Sequence, residues 1–398
     1  MRALLLENIH PFAEKRLKEA GFSASTLSGA LSEKKLRASL KGISLLGVRS
    51  RTALTADILK EADSLLAVGC FCVGTKNVDL EAAAASGIAV FNAPYSSTRS
   101  VAELVIGEII MLFRRIFEKS KAVHAGIWDK SAQGAHEIRG KRLGIIGFGN
   151  IGGQVSLLAE ALGMEVYYYD ILEKLNLGNA RRCRSMRELL RKADVVSLHV
   201  DDSPQNVGLI GDRELKVMRS GSFLLNMSRG KVVDLAALAR HLRNGRLAGA
   251  AVDVYPQEPK SGQQRFRSNL QGLPNVILTP HIGGSTLEAQ KEIAAYVADN
   301  LGKYVRTGDT YYNVNLPPVS LPVRKKAHRL LHIHRNVPGV MSQVTTLLAS
   351  HGINIVGQYL KTTDNVGYVI TDIVKKSDSD VVAALRAVRE TIRLRVID

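Results

Sequence analysis

The stretch that most constrains this chain runs Lys141-Arg142-Leu143-Gly144-Ile145-Ile146-Gly147-Phe148-Gly149-Asn150-Ile151-Gly152-Gly153. Residues 143–146 read as a buried strand. The chain then breaks at Gly147, Gly149 and Gly152, and a helical pattern follows to about Gly163. A second apolar strand, 166–169, ends on Asp170. Gly147 permits the tight turn, Gly149 lets backbone approach a pyrophosphate, and Gly152 lets the helix pack on the strand. The helix N-terminus offers free N–H groups and a positive dipole end. Asp170 is placed to accept from ribose hydroxyls. A bare GxGxxG motif is weak. In the frame strand, turn, helix, strand, Asp, it predicts a doubly wound dinucleotide-binding domain.

At 398 residues the chain has room for two or three domains with real cores. Residues 1–92 show a βα rhythm. Strands are expected over 3–6, 43–48, 65–68 and 88–91, and helices over 11–20 and 79–86, giving a small parallel-sheet domain. Arg49 and Arg51 stand just past the end of one such strand, where open α/β sheets gather ligands. Guanidinium matches carboxylate or phosphate as a bidentate fork, so the pair is a candidate anion site. A helix is expected from Val101 to about Ser120. Trp128 sits in a polar segment, where it caps its own domain or anchors a neighbouring subunit.

Strands over 194–200, 223–226, 248–254 and 276–279 continue the middle domain. A loop over 259–275 interrupts them, and a long helix over 286–306 follows. Proline punctuation at 315–322 marks a linker. The order after it, strands over 329–333, 353–360, 367–373 and 392–396 with helices over 339–350 and 380–389, is βαββαβ, a ferredoxin-like unit. It carries no nucleophile–base pair and reads as regulatory or structural.

The formal net charge is +17, yet there is no basic tail and aromatic residues make up only 5% of the chain. Nucleic-acid binding is therefore not expected; a diffuse field drawing in anionic substrate and cofactor is more economical, and a plain solvated surface in a basic proteome accounts for the charge equally well. No apolar run reaches the roughly 20 residues of a membrane helix, and the start Met1-Arg2-Ala3-Leu4-Leu5-Leu6-Glu7 is too short for a signal-peptide core. The three cysteines suit a reducing compartment, and Cys70 and Cys72 should not bridge. The expectation is a cytoplasmic protein without membrane partner or metal.

Arg229, Glu258 and His281 each follow an apolar strand of the dinucleotide half. Hydride transfer from a hydroxyl-bearing carbon needs a base for the hydroxyl proton, and imidazole suits that near neutrality. A fixed cation must hold a substrate carboxylate and polarise the forming carbonyl, a role for Arg229. A carboxylate fixes the imidazole tautomer and raises its pKa, a role for Glu258.

The motifs Gly147-to-Gly152, Ser228-Arg229-Gly230, Asp253-Val254-Tyr255-Pro256-Gln257-Glu258-Pro259 and Thr279-Pro280-His281-Ile282-Gly283-Gly284 resemble the D-2-hydroxyacid dehydrogenase family. Gly47-Val48-Arg49-Ser50-Arg51-Thr52, Gly69-Cys70-Phe71-Cys72-Val73-Gly74-Thr75 and Phe91-Asn92-Ala93-Pro94-Tyr95-Ser96 resemble its bacterial D-3-phosphoglycerate dehydrogenase branch. The C-terminal unit is similar to an ACT domain. The resemblance implies a Rossmann-type NAD domain over 97–283, a flavodoxin-like substrate domain over 1–96 and 284–325, and an ACT regulatory domain over 326–398. It implies NAD-linked oxidation of 3-phosphoglycerate, opening serine biosynthesis, with a side activity on 2-oxoglutarate. It also implies a homotetramer with feedback by L-serine at paired C-terminal domains. By the resemblance, Asn150, Ile151, Met227, Ser228, Asp253, Gly283 and Gly284 join Gly147, Gly149, Gly152 and Asp170 at the cofactor. His334, Asn336 and Asn354 hold the effector. Ser28, Ser97 and Arg335 depart from the pattern, where lysine, asparagine and an acid are common. Two alternatives remain at this stage, a dehydrogenase of an unphosphorylated 2-hydroxy acid such as glycerate or 2-hydroxyglutarate, and a non-catalytic NAD-sensing protein.

Overall fold

Short apolar runs closed by turn residues build the first sheet. The computed structural model describes residues 1–259, 264–322, 328–374 and 379–397. In chain order come β1 (Arg2–Leu5), α1 (Pro11–Glu19), β2 (Ser23–Thr26), α2 (Glu33–Ser39), β3 (Leu45–Val48), α3 (Ala56–Lys60), β4 (Ala67–Cys70), α4 (Leu80–Ala85) and β5 (Ala89–Phe91). The strands are parallel in the order β2-β1-β3-β4-β5, the flavodoxin-like arrangement. Every residue of β3 and β4 is buried, as a parallel sheet covered on both faces requires. Pro11 at the first helical position and the His10 imidazole, accepting from Phe12 N, start α1, while the Asp79 carboxylate accepts from Ala82 N to start α4.

The chain divides into two compact units, Met1–Ser96 with Gln290–Asp398, and Ser97–Ala289. The second unit begins with α5 (Thr98–Arg114) and α6 (Ile116–His124). One helix was expected over much of this span. The structure breaks it at Arg115, whose φ of 53° is left-handed and ends α5, while its guanidinium bonds Glu118 in the first turn of α6. No residue of α6 is buried. Ile116, Phe117 and Val123 stand exposed on it, and Ile127 and Trp128 just after it.

Next come β6 (Arg142–Ile146), α7 (Asn150–Ala161), β7 (Glu165–Tyr169), β8 (Arg181–Arg182), α8 (Met186–Lys192), β9 (Val195–Leu198), α9 (Asp212–Val217), β10 (Ser222–Asn226), α10 (Leu235–Arg243), β11 (Leu247–Val252) and β12 (Val276–Leu278). The seven strands run β12-β11-β10-β9-β6-β7-β8, all parallel. Order reverses between β6 and β9, which sets the ligand crevice of a Rossmann sheet beside the glycine turn. Of the loop expected over 259–275, residues 260–263 lie outside those described.

Helix α11 (Leu287–Thr307) leads to β13 (His328–Arg335), α12 (Val340–Ser350), β14 (Ile355–Thr362), β15 (Val366–Ile373), α13 (Ser379–Ala387) and β16 (Thr391–Ile397). The sheet β14-β15-β13-β16 is antiparallel, so the expected βαββαβ unit is present in ferredoxin-like order. Within the first unit, Leu331, Ile333, Tyr368 and Ile370 share one core with Val297 and Tyr304 of α11 and with Phe91. Arg329 is buried there. It bonds Asp372 at 2.7 and 2.9 Å and donates to Thr307 O at the end of α11. Cys70, Cys72 and Cys183 form no disulfide, and Cys72, beyond the end of β4, donates its thiol to Gly74 O at 3.1 Å.

Candidate active site

The glycine turn is built by close approach. Gly147 has a φ of 92°, and a Cβ on it would lie 2.5 Å from His199 O. A Cβ on Gly152 would lie 2.3 Å from Gly147 O. Both positions therefore demand glycine. At Gly149 a Cβ would meet nothing within 4 Å, so the space above the turn is open. No side chain caps α7, which leaves its first N–H groups free for an anion. Asp170 follows β7 and accepts from Phe148 N at 2.7 Å and Leu172 N at 2.8 Å, pinning its carboxylate to the turn. These residues fit a dinucleotide. Asn150 and Ile151 open α7 beside them.

On the same sheet, the loops after β10, β11 and β12 converge. Asp253 follows β11, and the segment after β12 wraps around it. Its carboxylate accepts from Thr279 Oγ1 at 2.6 Å, Ile282 N at 2.8 Å and Gly283 N at 2.9 Å. Its carbonyl accepts from His281 N at 2.8 Å. That grip holds His281 at a φ of 57°, a left-handed conformation uncommon outside glycine. Gly284 packs against buried Ser97 at the start of α5.

The His281 Nδ1 lies 3.0 and 2.9 Å from the two Glu258 carboxylate oxygens. Glu258 Oε1 also accepts from Tyr255 N at 3.2 Å, which fixes the carboxylate from behind. The hydrogen bond that His281 donates to Glu258 raises the His281 pKa above the ordinary imidazole value, against the opposing effect of burial. Burial pushes Glu258 up, yet the bond to His281 and its charge outweigh that and leave the carboxyl below its usual range. The His281 side chain is 53% exposed, so its other nitrogen is open to a reactant.

Arg229 follows β10 and joins this pair. Its charge acts on both Glu258 and His281. The loop is seated because a Cβ on Gly230 would stand 2.0 Å from the Tyr255 carbonyl carbon, and because Ser228 N and Oγ bond Asn226 Oδ1 at 3.1 and 2.8 Å. Met227 is buried in this loop. Asp202 Oδ2 lies 4.0 Å from Arg229 Nε, a neighbour the sequence reading did not single out. Its signal, two acids in succession after β9, reads as an ordinary polar loop.

Arg49 and Arg51 lie in the other compact unit, just beyond β3. Their loop is fixed by buried Glu7, which accepts from Arg51 N at 3.0 Å and Thr52 N at 2.7 Å, and by Asn77, which donates to Arg49 O. In the C-terminal sheet, His334 is buried with Nδ1 2.8 Å from Arg335 O, and Asn336 Nδ2 donates to Thr363 O at 2.8 Å. Both sit where Arg335 pairs with Val366. Asn354 precedes Ile355, which pairs with Ile373 at the opposite end. Six or seven strand residues, roughly 20 Å, separate Asn354 from the other two within one chain.

Residues 106–283 match the D-isomer specific 2-hydroxyacid dehydrogenase, NAD binding domain, and residues 330–393 match the AHAS small subunit-like ACT domain. The chain is 48% identical over 398 residues to a D-3-phosphoglycerate dehydrogenase of Haemophilus influenzae, covering 100% of this chain and 97% of that protein. It is 48% identical over 402 residues to the protein of that name from Escherichia coli, with coverage of 100% and 97%. Among solved structures, a D-lactate dehydrogenase from Aquifex aeolicus complexed with NAD and lactic acid is similar at a TM-score of 0.67 and 28% identity, covering 76% of this chain and 95% of that one.

Proposed function

The chain belongs to the D-isomer-specific 2-hydroxyacid dehydrogenases, among the D-3-phosphoglycerate dehydrogenases, and from that premise we propose how its residues carry the reaction. The enzyme oxidises 3-phospho-D-glycerate to 3-phosphohydroxypyruvate with NAD, the first step towards L-serine. NAD, once bound, accepts the hydride. The open turn at Gly149, the free N-terminus of α7 and Asp170 bind and orient it. His281 takes the hydroxyl proton on the nitrogen that Glu258 does not hold. Glu258 fixes the tautomer and stabilises the imidazolium that results. Arg229 clamps the substrate carboxylate and polarises the forming carbonyl. The observation that carries this reading is the His281–Glu258 pair at 2.9 Å under the charge of Arg229.

Arg49 and Arg51 take the substrate phosphate. The reading divides the chain into a substrate domain, an NAD domain and a regulatory domain. Their work suits the cytoplasm. Among the described residues, no helix is long and apolar enough to cross a membrane. L-Serine is the effector, through His334, Asn336 and Asn354. Because Asn354 lies at the far end of its own sheet, a site using all three draws them from two copies, which supports a homo-oligomer, a tetramer by resemblance. The uncovered apolar residues of α6 and Trp128 support self-association as well.

The test is a panel of oxo acids reduced with NADH. 3-Phosphohydroxypyruvate should exceed hydroxypyruvate and 2-oxoglutarate in kcat/KM by at least about 100-fold, as two charge-assisted contacts to a phosphate predict. Equal rates on the phosphorylated and unphosphorylated acids would reject phosphate recognition.

A further inference from the structure

Helix α5 carries a carboxylate that the mechanism above does not use. Glu108 is 2% exposed, and neither of its oxygens has a hydrogen-bond partner among the described residues. A buried carboxylate without a donor costs several kcal/mol if charged, so such a group keeps its proton. Asp253 acts on Glu108 electrostatically, and Tyr255 senses both acids. The two carboxylates differ in what they receive. Asp253 accepts two backbone N–H groups and a hydroxyl, and Glu108 accepts nothing from the described residues.

We propose that Glu108 is a positioning residue: as a neutral acid within electrostatic reach of Asp253, it keeps a second charge away from the carboxylate that ties down the His281 turn. The inference rests on the reading of His281 as acid/base and extends it to a group that does not touch the reactants. Its physical content is the repulsion of two like charges inside one core. If Glu108 ionises, the two carboxylates repel, Asp253 is displaced, and its bonds from Ile282 N and Gly283 N weaken. The backbone of His281 then leaves its left-handed conformation, and the cofactor-facing residues Gly283 and Gly284 move with it.

Among the described residues no cation bonds Glu108, and the titratable cation that acts on Asp253 is His281, in the segment after β12. Of the elements packed on α5, β11 and β12 carry no charged residue, and α7 has only Glu160, in its last turn. On α6 stand Glu118, Lys119, Lys121 and His124, with Glu118 bonded to Arg115 and Lys119 to Asp129. On α5 itself, Arg99 is paired with Glu103, and Arg114 is in the last turn. Burial, with the charge of Asp253 adding to it, pushes the Glu108 pKa up to about 8. A raised carboxyl pKa makes its contribution to stability present below the unfolded-state value. That contribution drains away between the unfolded-state value and the folded-state value, where only the unfolded chain releases the proton, and is gone once pH has risen through the folded-state value.

Two readouts test this, NADH binding by fluorescence and the thermal midpoint, each from about pH 6 to about pH 9.5, for wild type and Glu108→Gln. Wild type should lose roughly tenfold in NADH affinity across the range and the variant less than about twofold. The wild-type midpoint should fall at least about 4 °C further than the variant's over the same span. Parallel curves for the two proteins in both measurements would overturn the proposal. If the amide does not fold, Glu108→Met replaces it under the same criteria. Reduction of 3-phosphohydroxypyruvate by wild type at neutral pH separates the two readings. Its absence removes the dehydrogenase assignment, whatever the curves show.

Discussion

In the proposed reaction His281 is the acid/base, and its neighbours dictate how its pH dependence should look. Replacing it by Ala removes the base and should lower turnover by roughly 10²–10⁴-fold. Near-wild-type turnover would remove it from that role. Glu258 raises the His281 pKa through a direct bond. In the oxidative direction the imidazole must be neutral, so kcat/KM rises with pH through that raised pKa. In Glu258→Gln the support is gone, and the acid limb of the pH–rate profile should move to lower pH. An unmoved limb in the variant would show that another group titrates. That Arg229, Glu258 and His281 come together was legible in the sequence because each follows an apolar run, where strand ends present side chains to a crevice. The left-handed backbone of His281 was not legible, since only the wrapping of residues 279–283 around Asp253 creates it. Nor was Glu108, which sits in an apolar helix with nothing local to mark it as buried.

At the scale of elements, the strand–turn–helix from β6 to α7 is the most sequence-determined part of the molecule. Its glycines act through contacts with the chain's own backbone. A methyl at position 152 meets Gly147 O, which belongs to the turn itself. Gly152→Ala should therefore destabilise the protein by roughly 1–3 kcal/mol and weaken NADH together with it, read by denaturant unfolding and NADH titration. A variant of unchanged stability and affinity would mean that α7 tolerates a wider seat. The alternation of strands and helices was also readable, because fully buried parallel strands form continuous apolar runs. Two kinds of element escaped. The edge strands β2 and β8 pair on one side only and are mostly exposed, so they lack an apolar run. The break between α5 and α6 escaped because Arg115 takes the conformation usually signalled by glycine.

At the scale of the whole molecule, the three residues proposed to hold the effector pose a question of assembly. His334 and Asn336 share one end of the C-terminal sheet, and Asn354 belongs to the other. The sequence could name these three residues by resemblance. It could not say that one chain fails to bring them together, because that follows from the register of β13, β14 and β15. If two copies of the sheet complete the site, each pair of copies holds two equivalent sites related by symmetry. Asn336→Ala and Asn354→Ala should each abolish the effect of L-serine on rate and thermal midpoint, since either change damages both sites. Subunits of the two variants, mixed and reassembled, form hybrid pairs with one doubly damaged site and one intact site. Serine inhibition should reappear in the mixture, in proportion to the hybrid fraction measured by native mass spectrometry. A mixture that assembles into hybrids and stays insensitive would place the whole effector site within one chain or on other residues. Arg335 sharpens the measurement. Its carbonyl holds His334 Nδ1, while its side chain stands exposed beside the site. Arg335→Glu in the wild-type background should therefore change the serine concentration needed for inhibition without changing which mixtures respond.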